Sequence, residues 1–454
     1  MAETSALPGA AAPAAREARR TDRRVLAAAG VVAAVSIVVK AGSGLRELLI
    51  AWYFGTSDPL DAYLVGYAVP YFLVTLLAGS LPYVLVPAYM QVRVEQGAAA
   101  ASRLASAVLV ASTASLLALG LVVGLGAPAY LPLVAYGFAP EKVRLAQHVA
   151  LVLAPTLVSS VLISMLAALL NAHQRFLAPA LSPLISTFVV VAAVVTLGSS
   201  LGVDALAYGL LVGTVVEVAW LAWLARGAVA LRPLNPLVNP HVRHLGRRFV
   251  PTLVGAALMA STLLVDQAMS TGLAPGSVAA LNYANRLVTV PLGLTAAALG
   301  TAILPHFSDL VARAEWAELR GSIRRFLRLT MLLGLPASIV LAGAATPLTE
   351  VLLRRGAFTA ADVPVVASCL AALALQVPFY TGVILLMRLA LALRLNGAIA
   401  TISALNLGLN VGLNAWLASV MGVAGIALST SLVYVCSFGL LLALTRRALH
   451  TRGG

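Results

Sequence analysis

Apolar stretches of about twenty residues follow one another along nearly the whole chain, and that pattern leaves few folds open. In hydrocarbon every backbone N–H and C=O must be paired within the protein, so stretches of this length read as helices crossing a bilayer. Twelve are expected, over residues 25–54, 60–90, 104–126, 146–171, 177–197, 204–225, 249–272, 277–306, 323–345, 362–387, 398–418 and 422–445. The composition agrees, with 61% hydrophobic and 10% charged residues and a mean hydropathy of +0.97. Soluble globular chains do not reach those values. The predicted class is an all-α polytopic membrane protein. Residues 1–24, rich in Ala, Pro and Arg, read as a disordered tail. The long run that follows reads as an uncleaved first helix, with no signal peptide. Cys369 and Cys436 sit in apolar runs and read as small packing residues, with no disulfide or metal site expected.

A net charge of +14 would suggest a nucleic-acid partner in a soluble domain; here most of it belongs to loops, as orientation signals. With the N-terminus inside, 23 of the 30 Lys and Arg residues fall in cytoplasmic tails and loops. Four fall outside: Lys142, Arg144, Arg354 and Arg355. This bias predicts an even number of spans with both termini in the cytoplasm. Three basic residues remain, Lys40, Arg46 and Arg286, and they lie in the first and eighth spans.

The stretch from Lys40 to Asp61 reads KAGSGLRELLIAWYFGTSDPLD. A charge at the centre of a membrane helix costs roughly 2.5–3.5 kcal/mol on insertion scales, so it is kept where it meets a water-filled cavity or an ionic ligand. Lys40, Arg46 and Arg286 therefore predict a cationic cavity. Glu47, beside Arg46, opens a second reading, a local ion pair. Gly42 and Gly44, flanking Ser43, are expected to break the helix and let a bulky group approach the backbone. Asp61, at the outer mouth, also suits a helix cap. Pro70 and Pro291 read either as hinges of bent helices beside a cavity or as ordinary kinks.

The chain also repeats itself. DAYLVGYAVP (Asp61–Pro70) resembles LNYANRLVTVP (Leu281–Pro291) about 221 residues later, and GVDALAYGLLV (Gly202–Val212) resembles GVAGIALSTSL (Gly422–Leu432) at an offset of 220. Six spans per repeat insert the same way, which predicts two pseudo-symmetric six-helix lobes around the central cavity. The expected organisation is a cytoplasmic tail over 1–24, lobes over 25–226 and 249–446, a cytoplasmic linker over 227–248 and a tail over 447–454.

Catalytic chemistry has no foothold. The lysines, Lys40 and Lys142, lack the Gly-Lys-Ser/Thr context of a phosphate loop, and no HExxH, GxSxG or Cys/His cluster occurs. No enzyme activity and no organic cofactor are expected. His148, His173, His241, His244, His306 and His450 read as solvated residues near the membrane faces. Glu217 and Asp266 stand within spans six and seven without an evident sequence partner. Asn406, Asn410 and Asn414 share one helical face at a spacing of four. Interhelical hydrogen bonding is one reading; an oxygen-ligand ion site with Asp266 and Thr430 is the other.

GSGLRELLIAWYFGTSDPLDAYLVGYAVP resembles the first-helix signature of the MurJ (MviN) lipid II flippases, small-x-x-Arg-Asp/Glu, then Phe-Gly, then Asp-Ala-Phe/Tyr and a Pro. YANRLVTVPLGLTAAALGTAILPHFS (Tyr283–Ser308) is similar to that family's eighth-span motif, and LLRRGAFTAADV (Leu352–Val363) to its Gly-x-Phe-Thr loop. The resemblance covers residues 25–445 and implies the multidrug/oligosaccharidyl-lipid/polysaccharide exporter fold. It implies a flippase of the bacterial inner membrane that carries undecaprenyl-diphosphate-linked sugars outward for peptidoglycan synthesis. Synthesis proteins are implied as further partners. Arg46, Asp61 and Arg286 fall on the family's functional positions, with Glu47 in the same motif. Lys40 stands where the family usually has Arg, Val74 where it has a further Arg, and Asn285 where it has Asp. The family's additional C-terminal helices have no counterpart in these residues. Asp266, Asn410, Asn414 and Thr430 sit where some members bind sodium, so Na+ or the membrane potential is the implied driving force. A capsule or exopolysaccharide flippase, a multidrug exporter of the same fold and a membrane scaffold are the other classes to be separated.

Overall fold

The computed structural model describes residues 34–227, 257, 260–300 and 303–453, which are helical with no strand among them. Each of the twelve expected stretches carries helix. The first half holds α1 (34–54), α2 (Asp58–Leu125), α3 (Ala127–Val134), α4 (Pro140–Leu153), α5 (Thr156–Ala172), α6 (Leu177–Leu181), α7 (Pro183–Leu201) and α8 (Asp204–Ala225). The second holds α9 (260–270), α10 (Ser277–Gly300), α11 (Ile303–Ala312), α12 (Trp316–Gly343), α13 (Ala345–Leu353), α14 (Asp362–Ala374), α15 (Gln376–Ala392), α16 (Asn396–Met421) and α17 (Val423–Gly453).

Several boundaries differ from the sequence reading. The expected loop between the second and third spans is helix, so both belong to α2, which has 68 residues. At 1.5 Å per residue that is about 100 Å, far more than the roughly 30 Å of hydrocarbon, so α2 accounts for two crossings. Its connecting stretch is rich in Gln, Glu and Ala, good helix formers that keep the ladder intact. The break is confined to Gly97, at φ 85° and ψ 172°. The fourth span is divided into α4 and α5 near Pro155, and the tenth into α14 and α15, which meet at 41°. The expected tail after residue 446 continues α17 as helix to Gly453. Residues 1–24 lie outside the described residues, as does the expected linker apart from Gly227.

Packing follows chain order. The principal contacts join α2, α4, α5, α7 and α8 to one another, and α10, α12, α14, α15, α16 and α17 to one another; α2 with α10 is the main contact between these two sets. The repeat also leaves a mark on the backbone. Gly202, ending α7, has φ 57° and ψ −133°, and Gly422, ending α16, has φ 60° and ψ −139°. Left-handed φ is accessible to glycine without a Cβ penalty, and both turns lead straight into the next helix.

The two halves are sealed at one end, where α1 stops and α2 and α10 begin. The Ala357 amide donates to the Trp52 carbonyl at 2.7 Å, and the Tyr283 hydroxyl to the Gly55 carbonyl at 2.9 Å. The Thr56 hydroxyl donates to the Asp362 carboxylate. The Asp61 carboxylate accepts the Gly276 and Ala279 amides, each at 2.8 Å. Two unpaired donors at the start of α10 are thereby satisfied from the other half, by an anion placed at the positive end of the helix dipole. Lys142, 3.0 Å away, offsets the buried charge. Gly55 makes this approach feasible: its φ is 54°, and a Cβ there would sit 2.4 Å from the Ala357 oxygen. Gly55→Ala is therefore expected to destabilise the protein by at least about 1–2 kcal/mol from backbone strain alone. Gly44→Ala, with nothing within 4 Å of the new methyl, is expected to be neutral or slightly stabilising. Thermal unfolding of the purified variants in detergent checks both.

Candidate functional site

Behind the sealed end, between α1, α2 and α10, lies a cavity of about 230 Å³ lined by Arg46, Glu47, Tyr63, Tyr67, Tyr71 and Arg286 among others. A second of about 240 Å³ adjoins it, sharing Leu64, Tyr67, Tyr71, Asn282 and Arg286 and reaching Asn285, Asp266 and Gln267. Of the three cations singled out in the sequence, Lys40 lines neither cavity, while Arg46 and Arg286 are thus brought together from the two halves. They meet on one carboxylate oxygen: Glu47 Oε1 is 3.0 Å from Arg46 Nη2 and 3.7 Å from Arg286 Nε. The local pair and the shared cavity are both present, because one carboxylate serves two guanidiniums.

That arrangement leaves charge over. Two guanidiniums and one carboxylate carry a net positive charge. Arg46 Nε is buried without a hydrogen-bond partner, and the Arg286 side chain is 49% exposed. Lys40 adds another cation and makes no ion pair among the described residues. Its Nζ lies 3.3 Å from where a Cβ on Gly293 would sit, so α1 contacts α10 there too. An anion with several oxygens could exchange for Glu47 on the guanidiniums through charge-assisted hydrogen bonds.

The helix does not break at Gly42 and Gly44, contrary to expectation: α1 runs unbroken through both. A Cβ on Gly42 would lie 3.0 Å from Leu184 Cδ2, so this glycine lets α7 pack closely. Pro70 and Pro291 remain inside continuous helices. Asp61 lines neither cavity and serves the seal. His173 is not a free loop residue: its Nε2 is 2.8 Å from the Tyr89 hydroxyl. Burial, with Arg93 and Arg175 nearby, holds its pKa below the usual histidine value.

The tyrosines were not singled out from the sequence. Tyr63, Tyr67 and Tyr71 recur every four residues along α2, with successive ring centroids 6.3 and 5.5 Å apart, forming one aromatic wall. The four-residue spacing was the available signal. Such a wall presents flat apolar faces and hydroxyls, suited to sugar rings or to cations.

The polar residues of α9, α16 and α17 also converge. Asp266 Oδ1 accepts Asn410 Nδ2 at 3.0 Å and Asn414 Nδ2 at 2.7 Å, while Oδ2 accepts the Thr430 hydroxyl at 2.8 Å. Asp266, Asn410 and Asn414 are buried. Interhelical hydrogen bonding therefore exists here, yet Asn414 Oδ1 is left without a partner. Both amides turn Nδ2 to the carboxylate here. With the amides turned to present their oxygens, the carboxylate, two amide oxygens and hydroxyl have the chemistry to hold a small hard cation.

Glu47→Gln removes the charge that both guanidiniums share. Full burial of an unpaired charge would cost 3–5 kcal/mol, but these groups are partly exposed, so a loss of about 1–2 kcal/mol is expected. The check is a fall in melting temperature, with Glu47→Asp intermediate.

The family model of the lipid II flippase MurJ matches residues 50–454. A probable lipid II flippase MurJ of Synechocystis sp. is 30% identical over 445 residues, covering 95% of this chain and 83% of its own length. The lipid II flippase MurJ of Burkholderia cenocepacia is 31% identical over 336 residues, covering 72% of this chain and 65% of its own. Among solved structures, lipid II flippase MurJ in an inward closed conformation superposes with a TM-score of 0.79 at 22% identity, over 93% of this chain and 89% of that one. An inward-facing multidrug resistance MATE transporter of the MOP superfamily gives 0.78 at 14% identity, over 93% and 99%. The structural likenesses establish the fold of a polytopic all-α membrane protein. By the family match and the Synechocystis relative, this chain belongs to the MurJ lipid II flippase family.

Proposed function

We propose that the protein translocates an undecaprenyl-diphosphate-linked glycan, lipid II foremost, across the bacterial inner membrane by alternating access and without covalent chemistry. The observation that carries this reading is the cavity between the halves, where Arg46 and Arg286 converge from α1 and α10, with Lys40 against Gly293 further along the same two helices. A diphosphate supplies the oxygens that two guanidiniums can grip, and the tyrosine wall offers its attached sugars a stacking surface. The charge bias supports cytoplasmic termini, which makes the sealed end the outer one. The recurrence of the Gly202 turn at Gly422 and the division of helix contacts support two lobes, over 25–226 and 249–446, rocking about the cavity. A multidrug exporter would take cations, for which a basic cavity is poorly suited. Cell-wall synthesis proteins are the partners this role would need.

Arg46→Ala and Arg286→Ala are expected to abolish complementation of a flippase-depleted strain at normal membrane abundance. Arg286→Lys is expected to rescue partly, because an ammonium lacks the planar fork, and Lys40→Arg to be tolerated. Full complementation by both Ala variants would sink the diphosphate reading.

Sodium is the coupling ion that the donor set of Asp266, Asn410, Asn414 and Thr430 would accept, with the membrane potential as a further driving force. Bound there, Na+ would supply a positive charge that draws α9, α16 and α17 together. Transport in vesicles is expected to fall when sodium is replaced by a large organic cation. Asp266→Ala is expected to remove that dependence, and equal rates in both media would exclude the site.

A further inference from the structure

Away from the central cavity, a groove of about 750 Å³ opens between the first half of α12 and the last turns of α17. Arg320, Arg324 and Arg328 enter it from α12 at a spacing of four, and Arg446 and His450 enter it from α17. No acidic side chain lines it, and none of these four arginines makes an ion pair among the described residues. Its floor is apolar, with Met331, Phe438 and Leu442. Its depth relative to the bilayer follows from the helices. Beyond Arg328 the outer face of α12 turns to exposed Leu329, Leu332 and Leu333, which suits contact with hydrocarbon. Arg320 to Arg328 span about 12 Å of helix, so the groove runs from the headgroup region to the edge of the acyl chains.

Orientation alone would be served by arginines anywhere on these segments. It does not require that five basic side chains from two helices face one groove above an apolar floor. We propose that this groove binds an anionic glycerophospholipid. Its phosphate would be held by the α12 and α17 arginines and its upper acyl chain would lie along Met331, Phe438 and Leu442. The site is separate from the transported substrate's cavity and rests only on the membrane-spanning fold.

Native mass spectrometry of the detergent-purified protein tests it, with phosphatidylglycerol and phosphatidylcholine of matched chains as probes. Phosphatidylglycerol is expected to be retained preferentially. An arginine near a membrane surface contributes about fivefold to anionic-lipid affinity, so the double variant Arg324→Gln/Arg446→Gln is expected to lose about 25-fold. Arg324→Lys/Arg446→Lys is expected to keep most of the binding. Arg325→Gln/Arg447→Gln removes the same charge from neighbouring exposed positions outside the groove and is expected to change little. Equal losses in the two Gln pairs would mean diffuse surface charge and overturn the site. Displacement of the lipid by millimolar inorganic phosphate would mean a free-anion site and overturn the lipid assignment. Equal retention of both lipids would overturn it as well. Melting temperature and monodispersity of each variant separate loss of binding from loss of fold.

Discussion

The seal between the two halves depends on a carboxylate of one half that caps the first turn of a helix in the other. Asp61 belongs to α2, yet its two oxygens take the amides of Gly276 and Ala279, at the start of α10. Buried amides without partners are expensive, and a helix start in a membrane protein has no water to fall back on. The two halves are therefore held at one end by satisfied backbone groups together with a buried apolar cluster that joins Ala51, Phe54 and Leu60 to Ala280, Tyr283 and Phe358. Close approach at Gly55, and the bonds from Ala357 and Tyr283, extend the same logic around the seam.

The central site works on a different principle. Glu47 keeps Arg46 and Arg286 tolerable in the absence of a ligand, at a distance of 3.7 Å from the latter that is loose for an ion pair. A tighter pair would compete too well with an incoming anion, and no pair would leave two cations stranded in a low-dielectric space. Because the guanidiniums come from different halves, whatever replaces Glu47 also bears on the relative position of α1 and α10. In the proposed mechanism, binding would thus be joined to closure.

Much of this was legible in the sequence because membrane proteins expose their accounting. Apolar length gives the spans, and loop charge leaves Lys40, Arg46 and Arg286 as the basic residues topology does not explain. The grouping of Asp266 with Asn410, Asn414 and Thr430 was equally readable, since an isolated carboxylate in a span must find donors. What escaped was local. The helix continues through the stretch after Met90 because nothing there but Gly97 opposes it, and polarity alone had suggested a loop. Gly42 and Gly44 looked like a break, but backbone hydrogen bonding in hydrocarbon overrides a weak propensity. The role of Asp61 across the halves, and the tyrosine wall, required knowing which helices face each other.

Gly202 and Gly422 occupy matching corners of the two halves. Their dihedral angles agree within a few degrees, and each opens one of the two similar segments, GVDALAYGLLV and GVAGIALSTSL. Side chains on duplicated helices drift because many apolar residues fill the same space. A left-handed corner between two spans admits few replacements for glycine, so it stays alike where the neighbouring side chains differ. The two corners are thus alike where the seal is not: the aspartate belongs to α2 of one half, and the helix start that it caps to α10 of the other.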